Sequence, residues 1–387
     1  MSSAKTKKRL KITPYTTSPY VFEPYNPCPC ESGLKYKFCC YKKSKNATTD
    51  NHHRNAKRLY FEAHKQFKET DYKSCFGFDK NCDHGFIGAH SLQNNGVLSS
   101  ISKDNHLYML EMNFQEHSLL PKLEFKKIGK NNASVFNGFC KFHDEKYFKE
   151  IEDIPFRGTD EQNFWFAFRA HCFEAHQKNR RKKSYSNLFK ENPFATRNKQ
   201  ISNNYREVEL SIRDTEKDYE RFKVIYERKE FDKLESFVKI LPFQTTFAAT
   251  TAVGVAVDID GKAAADIYNY SESVFIPSIY FSIIPKEKET MIIVSRFKED
   301  KCYDNFITSL NLCKNDDTLF SFLTFCLAEY SENVYFSPLL VENILTLKEK
   351  ELISTAFLGA ASPNHKLRFK SMISNFKINL FKYKIED

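Results

Sequence analysis

The sequence predicts an α+β protein: a small N-terminal cysteine knuckle, a second cysteine-bearing unit, a helical middle, and a C-terminal antiparallel sheet covered by helices. Three observations predict it. Cysteines gather in the first 140 residues, with four of the eleven between Cys28 and Cys40. Beyond Pro155 apolar residues recur at helical spacing, and between Ile240 and Phe297 they change to strand-like runs broken by turns. At 387 residues, 41% hydrophobic and 15% aromatic, the chain has material for more than one core. The composition divides it into 1–22, a basic arm; 23–45, the knuckle; 56–155, the second cysteine unit; 156–238, a helical region; and 239–387, an α+β region.

The arm, residues 1–22, is polar and basic, with Pro14 and Pro19, and reads as extended chain. Residues 1–60 hold thirteen Lys and Arg against Glu23, Glu31 and Asp50, a surplus that equals the whole formal net charge of +10. Basic charge concentrated in this way favours a polyanion such as RNA, DNA or the ribosome. No run of apolar residues approaches the roughly 20 needed to span a membrane, and no apolar leader follows Met1. A cytoplasmic, reducing compartment is therefore expected, where thiols serve metal sites more often than disulfides.

Cys28, Cys30, Cys39 and Cys40 follow the pattern C-x-C-x8-C-C. Four thiolates this close satisfy the tetrahedral sulfur coordination of Zn2+, and so short a segment has little else to fold it. Neighbouring cysteines bridge poorly as disulfides. Lys35, Lys37, Lys42 and Lys43 surround the knuckle and are candidates for contact with nucleic acid.

Residues 45–55 read as a polar linker and Arg58 to Thr70 as a short helix. The next block, Tyr72 to Glu152, carries a second constellation: Cys75 and Cys82, then Cys140 and His143 at C-x2-H spacing where a helix over Cys140 to Glu150 begins. Two ligands from a looped knuckle and two from the first turn of a later helix describe a treble-clef zinc site, the second structural Zn2+ expected. His84, His106 and His117 are alternative ligands or bases.

Two resemblances attach to these motifs. Asn26-Pro27-Cys28-Pro29-Cys30, Ser32-Gly33, Lys35-Tyr36 and Cys39-Cys40 resemble the SEC-C motif, a zinc-binding unit that ends many bacterial preprotein translocase ATPases; Glu31 stands where that pattern has Gly. The resemblance implies docking onto a protein or ribosome. The string Gly85-Phe86-Ile87-Gly88-Ala89-His90-Ser91-Leu92-Gln93, between the two ligand pairs, resembles the strand of HNH treble-clef nucleases that ends in the catalytic histidine. That resemblance implies His90 as the base that activates water, Asn105 or Asn113 as the residue that orients it, and Asp144, after His143, in place of a helical His that binds a catalytic Mg2+ or Mn2+. Ala89 departs from the acidic or His residue usual before the base. Similar strings, Ala-His-Ser-Leu-Gln among them, suggest bacterial proteins of phage defence.

Thr159 and Gln162 form a capping-box pattern, and Phe164, Phe168, Cys172 and Ala175 make an apolar helical stripe up to Gln177. Lys178 and the cluster Arg180, Arg181, Lys182 and Lys183 follow at its C-terminal end, complementing the helix dipole and available to phosphate. Ser186 to Asn204, with Pro193, reads as a loop, and Val208 to Val238 as a long helix with Tyr219, Phe222, Tyr226 and Phe237 on one face. Strands are expected over Phe247 to Asp260, Val274 to Ile284 and Met291 to Phe297, a sheet of three or four, followed by helices over Asp317 to Tyr330 and Leu340 to Ala356. The last twenty residues are basic again. No phosphate-binding glycine loop is present, which disfavours nucleotide hydrolysis. Cys302, Cys313 and Cys326 read as core thiols.

Taken together these residues point to a bacterial zinc-binding protein acting on nucleic acid by metal-dependent phosphodiester hydrolysis. The alternative is a non-catalytic adaptor that uses the knuckle and treble clef to bind protein or ribosome.

Overall fold

The computed structural model describes residues 20–46, 56–79, 82, 85–113, 122–361, 376 and 378–385. Most of the basic arm, the linker beyond residue 46, His84, His117 and most of the basic C-terminal stretch lie outside the described residues. The chain forms two compact units, one of residues 1–68 with 184–209 and one of residues 69–183 with 210–387. No described helix is long and apolar enough to cross a membrane.

In the first unit the knuckle leads into α1 (Cys40–Asn46) and α2 (Ala56–Glu69). Its core is small: Phe22, Tyr36, Leu59, Leu188, Phe189, Ala195, Ile201 and Tyr205 bury themselves together with the four cysteines. The Tyr36 hydroxyl lies 3.1 Å from Thr196 Oγ1, and Cys40 Sγ donates to the carbonyl of Phe189 at 3.5 Å.

The second unit begins with β1 (Phe86–His90), α3 (Ser99–Ile101), β2 (His106–Asn113), β3 (Lys122–Gly129), β4 (Val135–Cys140) and α4 (Lys141–Glu152). Two long helices follow, α5 (Asp160–Glu191) and α6 (Lys199–Arg228). Then come β5 (Leu234–Leu241), β6 (Gln244–Thr245), β7 (Phe247–Val253), β8 (Ile279–Lys286) and β9 (Glu289–Phe297), α7 (Asp304–Leu312), α8 (Asp316–Tyr330), β10 (Val334–Phe336), α9 (Leu347–Ala361) and β11 (Lys384–Ile385).

The α+β class holds, with a wider sheet than the three or four strands expected: seven strands in the order β3-β2-β10-β7-β8-β9-β5. Every described pairing in it is antiparallel. Both faces of the central strands are covered, so β8 is buried over nearly its whole length and loses the alternation of a half-exposed strand. Phe281 and Ile283 point to the side packed by Phe306, Leu323 and Phe325. Tyr280 points to the side packed by Phe168 and Phe222. A separate two-stranded ladder pairs β1 with β4, His90 opposite Val135.

Three helix boundaries differ from the sequence reading. α5 continues to Glu191, because Leu188 and Phe189 are buried in the first unit's core and no residue breaks the helix before Pro193; the loop expected over Ser186 to Asn204 shrinks to the turn around Pro193–Arg197. α6 ends at Arg228, where Lys229 takes a left-handed φ of 54°. Phe237 and Val238, expected on that helix, lie in β5, paired with Val294 and Ile293 of β9. Leu340, expected to open the last helix, lies in a π-helical turn, Leu339–Ile344, and the last long helix starts only at Leu347. Of the three scattered thiols, Cys326 is buried as expected, whereas Cys302 is exposed and Cys313 only half-buried.

Candidate metal centres

The first centre is built by a tight loop. The amide of Cys28 donates to the Leu34 carbonyl at 2.8 Å and that of Tyr36 to the Asn26 carbonyl at 2.9 Å, closing the chain on itself between the cysteine pairs. Glu31 and Gly33 make the reversal with φ of 57° and 78°. A glycine adopts such a φ freely and a glutamate at some cost. Cys30 Sγ then lies 3.4 Å from Cys28 Sγ and 3.6 Å from Cys39 Sγ, and all four sulfurs are buried within 4.8 Å of one another. Sulfurs about 2.3 Å from a tetrahedral Zn2+ stand about 3.8 Å apart, so the set is close to the size that zinc demands. The Ser32 hydroxyl donates to Cys39 Sγ at 3.1 Å. The hydrogen bond from Cys40 pulls the Cys28 thiol down to about 5, and the same contact pushes Cys40 up. Sulfurs so crowded cannot all ionise without a cation among them.

The second centre joins a loop to a helix start. The segment before Gly77 runs beside β4, with Ser74 N–H donating to Asn137 O at 3.1 Å and Phe76 N–H to Gly138 O at 3.0 Å. Cys140 is the N-cap of α4, and His143 lies in its first turn. His143 Nδ1 is 3.3 Å from Cys75 Sγ, 3.5 Å from Cys82 Sγ and 3.2 Å from Cys140 Sγ. Its other nitrogen, Nε2, is 2.7 Å from Asp79 Oδ1, and Asp79 Oδ2 accepts from Lys146 at 3.0 Å. That is a carboxylate–histidine–metal relay: the carboxylate holds the Nε2–H tautomer and turns Nδ1 toward the sulfurs. The two sets Cys28, Cys30, Cys39, Cys40 and Cys75, Cys82, Cys140, His143 can each hold a metal ion, and their soft sulfur-rich donors suit zinc.

Sequence reasoning missed two residues here. Asp79 has no spacing signature of its own, since its role depends on where α4 packs. Gly77 is needed because a Cβ on it would stand 2.4 Å from Cε1 of His143.

His90 ends β1 and is half-buried. Its Nδ1 lies 2.9 Å from the Ala133 carbonyl oxygen and 3.3 Å from Ser134 Oγ. Burial lowers its pKa, so the imidazole is neutral near pH 7. With Nδ1–H donated to Ala133 O, the lone pair sits on Nε2. Neither Asn105 nor Asn113 is a partner of His90. Asn105 holds the turn before β2, its carbonyl accepting from Lys130 at 2.8 Å, and Asn113 donates to Glu124 at 3.0 Å. Ser134, at φ 60°, is the neighbour that the structure supplies instead.

Asp144 has a buried Oδ1 with no hydrogen-bond partner, and burial pushes its carboxyl up to about 6. Arg169 and Glu152 act electrostatically on both Asp144 and His90, which places the four in one neighbourhood. Among the described residues, however, no third group of metal-ligating atoms converges as the two cysteine sets do, so His90 and Asp144 do not form a ready site for Mg2+ or Mn2+. Of the alternative ligands, His106 is exposed, with Nδ1 2.6 Å from its neighbour Asp104 O.

Lys35, Lys37, Lys42 and Lys43 are exposed. Lys35 and Lys37 sit 5.7 and 5.1 Å from the ring centre of exposed Tyr25. The other basic cluster is engaged within the chain: Arg180 donates to the Thr70 carbonyl at 2.9 Å and Arg181 to Glu332 at 3.2 Å, while Lys182 and Lys183 are half-buried. Compared with known proteins, the chain matches no family model, no curated protein and no solved structure.

Proposed function

We propose that this zinc-binding protein hydrolyses phosphodiester bonds in nucleic acid, with His90 as the general base. The observation that carries the reading is the tie between His90 Nδ1 and the Ala133 carbonyl, at 2.9 Å, on a strand paired with the one that runs into the Cys140–His143 helix. A neutral imidazole held by one nitrogen presents the other to a water molecule. Nε2 takes the proton, the hydroxide oxygen bonds to phosphorus, and the P–O bond to the leaving oxygen breaks. The zinc ions, bound by closed sets of four ligands, are structural, with no position left for substrate. No step is routed through Mg2+ or Mn2+, because His90 and Asp144 offer no converged site for either. The resemblance to defence-associated bacterial proteins suggests invading nucleic acid as the substrate.

The test is incubation of the zinc-loaded protein with end-labelled single- and double-stranded DNA and RNA, with and without Mg2+ or Mn2+, beside a His90→Ala variant. Cleavage that depends on His90 supports the reading. Cleavage unchanged in the variant, or none by the wild-type protein, removes it.

A second reading, a docking adaptor, draws on the first unit's surface. Tyr25, Leu34 and Phe38 are 59%, 54% and 58% exposed beside Lys35 and Lys37, an apolar and cationic surface that suits a protein or ribosome partner. Binding without cleavage, lost on Phe38→Ala, would favour it.

A further inference from the structure

Arg169, on α5, is 4% exposed. Its Nη2 pairs with Glu152 Oε1 at 2.5 Å, and its guanidinium carbon lies 3.9 Å from the ring centre of Phe148. These contacts hold the guanidinium in place and leave its Nε–H buried with no partner. A guanidinium donor without an acceptor is costly to bury. Arg169 belongs to the wall of a cleft that begins at Ser91, the residue after His90.

Ser91, Gln93, Arg169, Thr250, Ser282 and Lys286 meet there among apolar side chains, and no carboxylate is among the lining residues. Asn333 Nδ2 donates from behind to Ser91 Oγ at 3.0 Å and to the Thr250 carbonyl at 2.8 Å, which leaves the Ser91 hydroxyl proton to donate forward. Lys286, at the end of β8, is half-buried and forms no ion pair among the described residues. The Nε–H of an Arg169 guanidinium whose Nη2 is paired with Glu152, the Lys286 ammonium and a hydroxyl donor, in a pocket whose own lining holds no acid, suit an oxyanion.

We propose that this cleft binds a phosphoryl oxyanion of the nucleic-acid backbone, with Arg169 and Lys286 supplying the positive charge and Ser91 a hydroxyl donor. The assignment of the anion to nucleic acid rests on the phosphodiesterase reading; the oxyanion site itself does not.

The experiment uses the full zinc-loaded chain with two variants. Lys286→Ala removes a charge outside the packed core. Arg169→Lys keeps the charge opposite Glu152 and removes the Nε–H. Inorganic phosphate is titrated while the melting midpoint is followed, and a fluorescent single-stranded oligonucleotide is titrated by anisotropy. Phosphate should raise the midpoint of the wild-type protein and leave Lys286→Ala unmoved. Oligonucleotide binding should weaken about tenfold or more in each variant, the cost of one charge-assisted hydrogen bond. If Arg169→Lys does not fold, as its zinc content and melt without phosphate would reveal, Lys286→Ala decides alone. Phosphate protection that persists in Lys286→Ala, or none in the wild type, overturns the oxyanion site. Phosphate protection lost in Lys286→Ala with oligonucleotide binding unchanged overturns the nucleic-acid assignment and leaves free phosphate compounds as the ligand. A wild-type protein that binds phosphate through Lys286 and cuts nothing overturns the role of His90 and keeps the cleft, so the two failures are distinguishable.

Discussion

Substituting Gly77 by Ala tests the second centre through sterics alone. The added Cβ would stand 2.4, 2.5 and 2.6 Å from Cε1, Nδ1 and Nε2 of His143. Carbon contacts settle at about 3.5 Å or more, so ring and loop must part by about 1 Å. The loop is held: the Gly77 carbonyl accepts from Tyr219 Oη at 2.9 Å and Phe78 N–H donates to Tyr147 Oη at 2.8 Å. The ring is held on its far side by Asp79 at 2.7 Å. A zinc–ligand distance tolerates about 0.2 Å, five times less than the movement required, so His143 is lost as a ligand. Zinc affinity at that centre should fall more than about a hundredfold, beyond the range seen when only a residue hydrogen-bonded behind a ligand is changed. The assay is zinc content after dialysis against a chelator that strips the variant and spares the wild type: two ions per chain in the wild type, one in Gly77→Ala. Gly129→Ala is the control, because the nearest atom to its Cβ would be Asn132 Nδ2 at an ordinary 3.7 Å. A Gly77→Ala protein that keeps two zinc ions with wild-type resistance to the chelator refutes the ligand geometry.

Three other perturbations have defined outcomes. Asp79→Asn removes the charge behind His143 and should weaken zinc at the second centre about 10- to 100-fold in competition with a chromogenic chelator, with the first centre unchanged. His171 is fully buried with neither nitrogen hydrogen-bonded, and burial lowers its pKa to about 3. A depressed histidine contributes stability that is full above its unfolded pKa and falls with pH below it, so between pH 7.5 and 5 it costs the wild type about 2 kcal/mol. His171→Phe, packed against Phe168 and Phe222, should remove that part of the loss in urea melts; an equal loss in both proteins would count against a buried neutral ring. Gln162 is buried, accepts from Arg157 N at 2.7 Å and donates to the Pro155 and Glu150 carbonyls at 3.0 and 3.2 Å. Gln162→Ala strands these groups and should lower unfolding stability by about 2–3 kcal/mol, measured by urea denaturation.

The ligand sets were legible because metal sites concentrate their chemistry in residue types that rarely cluster otherwise. Local periodicity likewise announced the start of α5: Phe164, Phe168, Cys172 and Ala175 are all buried, and Thr159 Oγ1 accepts from Gln162 N at 3.2 Å as a cap should. The cap differs in one respect, since Gln162 turns its own side chain to Arg157 instead of closing the box. Helix ends were less legible because burial decided them. Ser186 to Glu191 reads as part of a polar loop until Leu188 and Phe189 are seen in a core with Tyr36 and Tyr205. Charge was misleading in the other direction: the run from Arg180 to Lys183 reads as a phosphate patch, yet two of its members are spent on Thr70 and Glu332.

The sequence by itself determined which side chains can ligate metal, that the chain mixes helices with an antiparallel sheet, and where its basic charge lies. Those properties follow from residue identity and from neighbours a few positions apart. Tertiary structure alone decided that β2 and β3 form one edge of a seven-stranded sheet, that Asp79 stands behind His143, and that Ser91 is backed by Asn333, 242 positions away. Such pairings depend on loop closure and on which faces are buried against each other, and neither quantity is written in any short stretch of sequence.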